Sequence, residues 1–267
     1  MPTSHSSDPI LRRPFGRYSD LVSIIGIGGY HLGKIRTITE AVRIVHEAVD
    51  AGVNFLDNAW EYHEGESERR MGRAIRDRRD SVFLMTKVCT HGRDGKVAMR
   101  QGKVRYVGFT GHKDPDLHLR MLSFGFPFDA CQLPLNGFDA AFRSFQDRLL
   151  PELARQKVAA IGMKSLGGDG RAVKRRTVGV AEALRYAMSL PVCTTVSGID
   201  SLKVLRQNVR IARAFTPMNA HERRAYEKRL SDCATDGRFE LYKTTAEHEG
   251  DVGRRQHGYP SQNELAL

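Results

Sequence analysis

Seven short apolar runs rich in Val and Ile recur along the chain, and all but the third lead into a segment with helical periodicity. The runs are Val22 to Gly28, Val53 to Asp57, Val82 to Lys87, Val104 to Thr110, Ala130 to Leu135, Val158 to Lys164 and Thr194 to Ile199. Thr39 reads as the N-cap of a helix whose Ala41, Val45, Ala48 and Val49 share one face. Further helices are expected at Glu66 to Arg79, Asp116 to Phe124, Phe142 to Gln156, Gly179 to Leu190, Leu202 to Ala214 and His221 to Ser231. Strands that are apolar throughout are buried on both faces, which is the habit of a parallel sheet under a layer of helices. The fold class is therefore α/β, a (β/α) barrel or a doubly wound sheet. No linker or shift in composition divides it. The 267 residues suit a (β/α)8 barrel of TIM type, which takes ~250, but such a barrel has eight strands and only seven are counted. The domain is expected to span residues 1–233. The polar segment 234–267 is expected to be disordered or a flexible cover.

Composition narrows the partners. No apolar run approaches the ~20 residues of a membrane span, and Met1 to Asp20 has no apolar signal core. Cys89, Cys131, Cys193 and Cys233 are scattered, with no CxxC, which fits reduced thiols in the cytoplasm. The net charge of +11 raises the question of nucleic acid. Its sources are dispersed over Arg12 to Arg17, Arg69 to Arg79, Lys174 to Arg176, Arg223 to Arg229 and Arg254–Arg255, mostly interleaved with acids. No basic stripe alternates with aromatics, so neither nucleic acid nor a membrane is the expected partner.

Three residues stand where chemistry is done in a barrel. Asp57 ends the second run, Tyr62 follows in the next loop, and Lys87 ends the third run. Parallel strands deliver their C-terminal ends to one face, so these side chains can converge. A phenol beside an ammonium is a plausible general acid, because the cation favours the phenolate and lowers a pKa of ~10, while an aspartate keeps the lysine charged. Spacing alone also allows a surface tyrosine and an ordinary ion pair. The GIGG of Gly26 to Gly29 fails as a dinucleotide fingerprint, since the sixth position is His31. Cys89 and His91 lack a second ligand pair, so no metal site is expected.

The segment GVNFLDNAWEYHEGESERRMG, Gly52 to Gly72, closely resembles the signature of the aldo-keto reductases, which Asp57, Ala59, Tyr62, Glu68 and Gly72 match. MTKV supplies the matching Lys87, and the resemblance continues in YVGFTGH, CQLPLN, GMKSLGG and VSGIDSLKVLRQN. It implies a (β/α)8 barrel that reduces an aldehyde or ketone, a small-molecule carbonyl substrate, with NADPH and with Tyr62 as the acid. It further implies that Gln132 contacts the nicotinamide, that Lys164, Leu166 and Gly167 hold the pyrophosphate, and that Gly198, Ser201 and Asn208 grip the adenosine end.

The departures from the family matter as much. Where a Ser-Asn pair usually holds the carboxamide, the chain has Thr110-Gly111, followed by His112. The arginine that commonly meets the 2′-phosphate is Val204, with Lys203 and Arg206 as substitutes, so NADPH over NADH is a preference only. Only Thr90 to Lys103 separates the third and fourth runs, where the family places helix, strand and helix. The chain reads as joined at Gln101–Gly102, without the strand that carries the family's active-site histidine. Two readings follow, an active reductase and a cofactor-binding but catalytically impaired remnant. A third treats the barrel as a scaffold for a basic binding protein. Loss of an inner strand must leave its two neighbours paired with each other or exposed as edges.

Overall fold

The computed structural model describes residues 8–88, 101–245, 258, 260, 261 and 264. Its strands are β1 (Arg12–Pro14), β2 (Leu21–Ser23), β3 (Ile25–Gly28), β4 (Phe55–Asp57), β5 (Phe83–Met85), β6 (Gly108–Thr110), β7 (Ala130–Pro134), β8 (Ala159–Met163) and β9 (Thr194–Gly198). The α-helices are α1 (Gly29–Lys34), α2 (Ile38–Asp50), α3 (Glu66–Ile75), α4 (Pro115–Ser123), α5 (Phe145–Gln156), α6 (Arg171–Lys174), α7 (Val180–Ser189), α8 (Leu202–Arg213), α9 (Ala220–Ala234) and α10 (Leu241–Thr244).

Each apolar run forms a strand of one parallel sheet, in the order β5-β4-β3-β9-β8-β7-β6. This is a (β/α)8-type sheet with seven strands, as the sequence implies. Among the described residues β5 and β6 pair on one side each, so the described sheet curls without closing and ends in two edges that border a seam. The junction expected at Gln101–Gly102 lies between these two strands in the chain. Of the run Val104 to Thr110 only three residues keep a strand partner.

The first run divides. Leu21–Ser23 pairs antiparallel with Arg12–Pro14, and only Ile25–Gly28 enters the main sheet. The resulting hairpin plugs the N-terminal end of the barrel. Its Gly16 turns with φ +59° so close to Ala159 that a Cβ would lie 2.8 Å from the Ala159 nitrogen. Phe15 from this hairpin joins Phe55, Ala130, Ile161 and Val196 in the barrel interior. Outside, α2, α3 and α8 cover β3 and β4 through Ile44, Met71 and Leu205, while α5, α7 and α9 cover β7 and β8 through Leu149, Tyr186 and Leu230.

Two expectations need correction. The cap of α2 is Thr37, whose extended backbone lets its side chain accept from the Glu40 amide at 3.2 Å; Thr39 lies inside the helix. The segment after residue 233 does not leave the barrel at once. Phe239, Glu240, Tyr242 and Lys243 are all buried, and Lys243 Nζ donates to Asp139 Oδ1 at 2.6 Å and Glu240 Oε2 at 2.9 Å. Among the described residues no helix is long and apolar enough to cross a membrane. Cys131, Cys193 and Cys233 are free thiols, and Cys89 and His91 lie outside the described residues.

Candidate active site

The C-terminal ends of the strands form the mouth of the half-barrel. Asp57, the last residue of β4, is buried and forms an ion pair with Lys87, two residues beyond β5. Lys87 Nζ also donates to the Asn58 carbonyl at 2.6 Å, so the ammonium is held from two sides. Its nitrogen lies 5.3 Å from the centre of the Tyr62 ring. The predicted trio is thus brought together.

The polar chain continues across the mouth. Gln132 Nε2, from β7, donates to Asp57 Oδ2 at 3.3 Å, and Thr110 Oγ1, from β6, donates to Gln132 Oε1 at 3.3 Å. Thr110, Gln132, Asp57 and Lys87 therefore link the two sides of the seam through side chains where the backbone does not. Such a buried network fixes each member's orientation.

Tyr62 itself is set by a tight loop. His63 and Glu64 adopt left-handed φ angles of 53° and 56°, and Gly65 follows at 82°. Non-glycine residues in that region carry strain, which is commonly found at functional sites. The turn is pinned by His63 Nε2 against the Tyr30 carbonyl at 2.8 Å, and the Tyr30 ring meets Tyr62 edge-on at 5.4 Å. Burial, followed by the negative charge of Asp57, holds the Tyr62 phenol well above its ordinary value. This corrects the expected lowering by Lys87. The ammonium is committed to Asp57 and the Asn58 carbonyl, and a buried phenolate would face an aspartate.

The other expected residues fall into two groups. Lys164, after β8, is mostly buried with no ion pair among the described residues; its Nζ lies 4.9 Å from the Tyr242 ring centre, and burial lowers its pKa to about 8. Leu166 packs partly into the core, and Gly167 is buried with φ +80°. A Cβ at Gly167 would stand 2.9 Å from the Phe239 carbonyl, so the glycine also admits the C-terminal segment. Gly198 is exposed at the end of β9. Ser201 caps α8, accepting from the Val204 amide at 3.3 Å. Asn208 turns inward instead: its Nδ2 donates to Ser197 Oγ at 3.0 Å, and its buried Oδ1 has no partner among the described residues. Arg206 is occupied by Glu47, with Nη2–Oε2 at 3.0 Å. His112 lies edge-on to Tyr242 at 5.8 Å.

Sequence reasoning missed Tyr30 and His31 as parts of this mouth. His31 lies over Gly198, so near that a Cβ there would be 2.4 Å from its Nδ1. The glycines around it, Gly29, Gly33 and Gly198, were the available signal, since each leaves room for a facing side chain.

Residues 24–100 match the sequence model described as the aldo/keto reductase family. The holo form of aldo-keto reductase AKR11C1 from Bacillus halodurans shares the fold, with a TM-score of 0.66 at 19% identity over 82% of this chain and 96% of that one. Over residues 24–100 the chain is similar to the aldo/keto reductase family. Among related sequences, the uncharacterized oxidoreductase YqkF of Bacillus subtilis is 38% identical over 78 residues, 29% of this chain and 25% of that protein. The chain therefore spans about a quarter of the length of the curated relatives it matches. An aldo-keto reductase from Klebsiella pneumoniae, solved in complex with NADPH, has a TM-score of 0.55 at 18% identity, over 83% of this chain and 96% of that one. The family-model match ends at residue 100, one residue before Gln101. Asp57, Tyr62 and Lys87 all lie in the matched part, and the cofactor candidates from Thr110 onward lie beyond it.

Proposed function

We propose that the chain is an oxidoreductase that reduces an aldehyde or ketone to an alcohol with NADPH. The observation that carries this reading is the Asp57–Lys87 ion pair with Tyr62 over its ammonium, at the mouth of a (β/α) sheet. The residues present fit a dinucleotide. Lys164 offers a partly accessible ammonium with no carboxylate ion pair among the described residues, and Gly198 is exposed at the end of β9. Lys164, Gly167, Gly198 and Ser201 would hold the phosphates and the adenosine end, with Gln132 and Thr110 beside the nicotinamide. When bound, that group supplies the hydride to the carbonyl carbon.

The chain's own residues supply the proton. Tyr62 Oη gives its proton to the oxygen that gains charge, so a phenol kept protonated by burial is in the correct state to act. Lys87, fixed by Asp57, places a positive charge beside the phenolate as it forms. The Tyr62 environment also favours the second reading, a cofactor-binding but catalytically impaired protein. Two of the Lys87 ammonium's donors are already used, and the phenol is hard to ionise.

Titration of NADPH by fluorescence, followed by turnover of a reactive aldehyde, separates the two. Saturable binding with turnover that falls about 10²–10⁴-fold in Tyr62→Phe supports the reductase. Binding without turnover supports the impaired form, and equal turnover in both proteins removes Tyr62 from the role of acid.

A further inference from the structure

The unexplained titratable group in the mouth is His31. Its ring is partly buried at the start of α1, packed over the exposed Gly198 and edge-on to Tyr30 at 5.7 Å. No hydrogen bond reaches its side chain among the described residues. The charged groups that face it come from four places: Asp200 after β9, Lys34 on α1, His63 in the Tyr62 loop, and Lys164 after β8. Three of these four are basic or become so on protonation. The ring thus packs over Gly198, beside the Gly198–Ser201 loop, and more basic groups than acidic ones act on it, a field that attracts an anion.

Building on the proposed use of NADPH, we propose that His31 is a proton-linked contact for the dinucleotide's phosphates. Its imidazole takes up a proton when the phosphate anion settles between Lys164 and the turn at Gly198. Burial, opposed by Asp200 and aided by the neighbouring cations, keeps the free ring's pKa below its ordinary value, so the ring is mostly neutral near pH 7. An anion beside it reverses the balance and favours imidazolium. Affinity therefore tightens as pH falls through the pKa of the complex, and levels off below the pKa of the free protein. Each unit of upward shift corresponds to about tenfold in affinity.

The test uses the full chain with NAD+ and NADP+. The diphosphate of NAD+ does not titrate in this range, whereas the 2′-phosphate of NADP+ titrates near pH ~6 and needs the variant as its control. Calorimetry in buffers of different ionisation heat counts protons taken up, and binding is measured from pH 5.5 to 8.5. We expect uptake of a fraction of a proton near pH 7 and an affinity loss of about three- to tenfold from pH 6 to pH 8. His31→Gln, which keeps a polar side chain, should lose that uptake and flatten the NAD+ profile. The wild-type His31 ring resonances should also titrate at higher pH with NAD+ bound, a readout that needs no variant. Equal proton uptake in the two proteins, or an unmoved His31 titration, overturns this inference while leaving the cofactor reading intact. Failure of wild type and variant to bind either nucleotide overturns both.

Discussion

One side of the barrel is built by the backbone and the other by side chains. β7, β8 and β9 are five residues long and almost wholly buried, and each has a parallel neighbour on both sides. β5 and β6 have three residues each, alternate between half-buried and exposed, and have one strand partner each among the described residues. What spans the seam near the hairpin plug is aromatic: Phe83 stacks on Tyr106 at 5.6 Å, with Phe15 against both at 4.6 and 5.1 Å. At the mouth it is polar, through Thr110, Gln132 and Asp57. A strand's burial thus follows from having neighbours as much as from its own residues: β4, paired on both sides, is also three residues long but wholly buried. Stability should concentrate on the closed side, while the seam is held by a few replaceable groups.

The largest test strikes the closed side. Lys243 is fully buried between Asp139 and Glu240 and ties the C-terminal segment to the loop after β7. Removing one partner from such a cluster leaves uncompensated buried charge, so Lys243→Met should cost about 3–5 kcal/mol in denaturant unfolding. Burial already raises the Asp139 carboxyl to about 6, against the pull of Lys243, and without the lysine it rises further. The folded state then binds more protons than the unfolded one, so the variant's stability falls as pH rises through that range. The loss should be greater at pH 7.5 than at pH 5; an equal loss would show that the cluster is not charged as drawn. Next in size, Leu133→Ala on β7 should cost about 3 kcal/mol, as for a fully buried leucine, whereas Leu84→Ala on β5 should stay within about 0.5 kcal/mol. Similar losses at the two sites would erase the contrast.

The same contrast explains what could be read in advance. The strand ends were legible, and with them Asp57 and Lys87, because apolar runs mark where a strand stops and a parallel sheet gathers its C-terminal ends on one face. The true cap of α2 was legible in principle: Glu40 stands three residues after Thr37, the spacing of a capping pair, and only Val42 stands three after Thr39. The burial of Lys243 was not. Its partner Asp139 is 104 residues away, and local polarity makes LYKT look solvated. Tyr62 was placed correctly beside Lys87, yet the sign of its shift depends on where the ammonium's hydrogen bonds go. The inward turn of Asn208 onto Ser197 and the position of His31 over Gly198 likewise depend on packing between strands distant in sequence.

The seam supplies the smaller effects. Phe83 is half-buried but stacks on Phe55 and Tyr106 and contacts Phe15, so Phe83→Ala should cost about 2 kcal/mol, less than a fully buried phenylalanine. Native-state hydrogen exchange should show the loss locally, with faster exchange in β5 and β6 and little change in β8. Acceleration spread evenly over all strands would mean that the seam and the closed side unfold as one unit.

Tyr106→Phe is the finest probe because it keeps the stack and removes one hydroxyl. That hydroxyl donates to Asp20 Oδ2 at 2.5 Å, joining the segment that leads into β6 to the loop of the β1–β2 hairpin. Asp20 keeps Arg105 as a partner at 3.1 Å, so no carboxylate is left bare. A single hydrogen bond to a charged acceptor at a partly exposed site then sets the scale, about 1 kcal/mol by denaturant unfolding. If the aromatic stack alone bridges the seam, the change will be nil. If the hairpin acts as a brace across it, Tyr106→Phe will also lower exchange protection at Leu21–Ser23, on the far side of the missing bond.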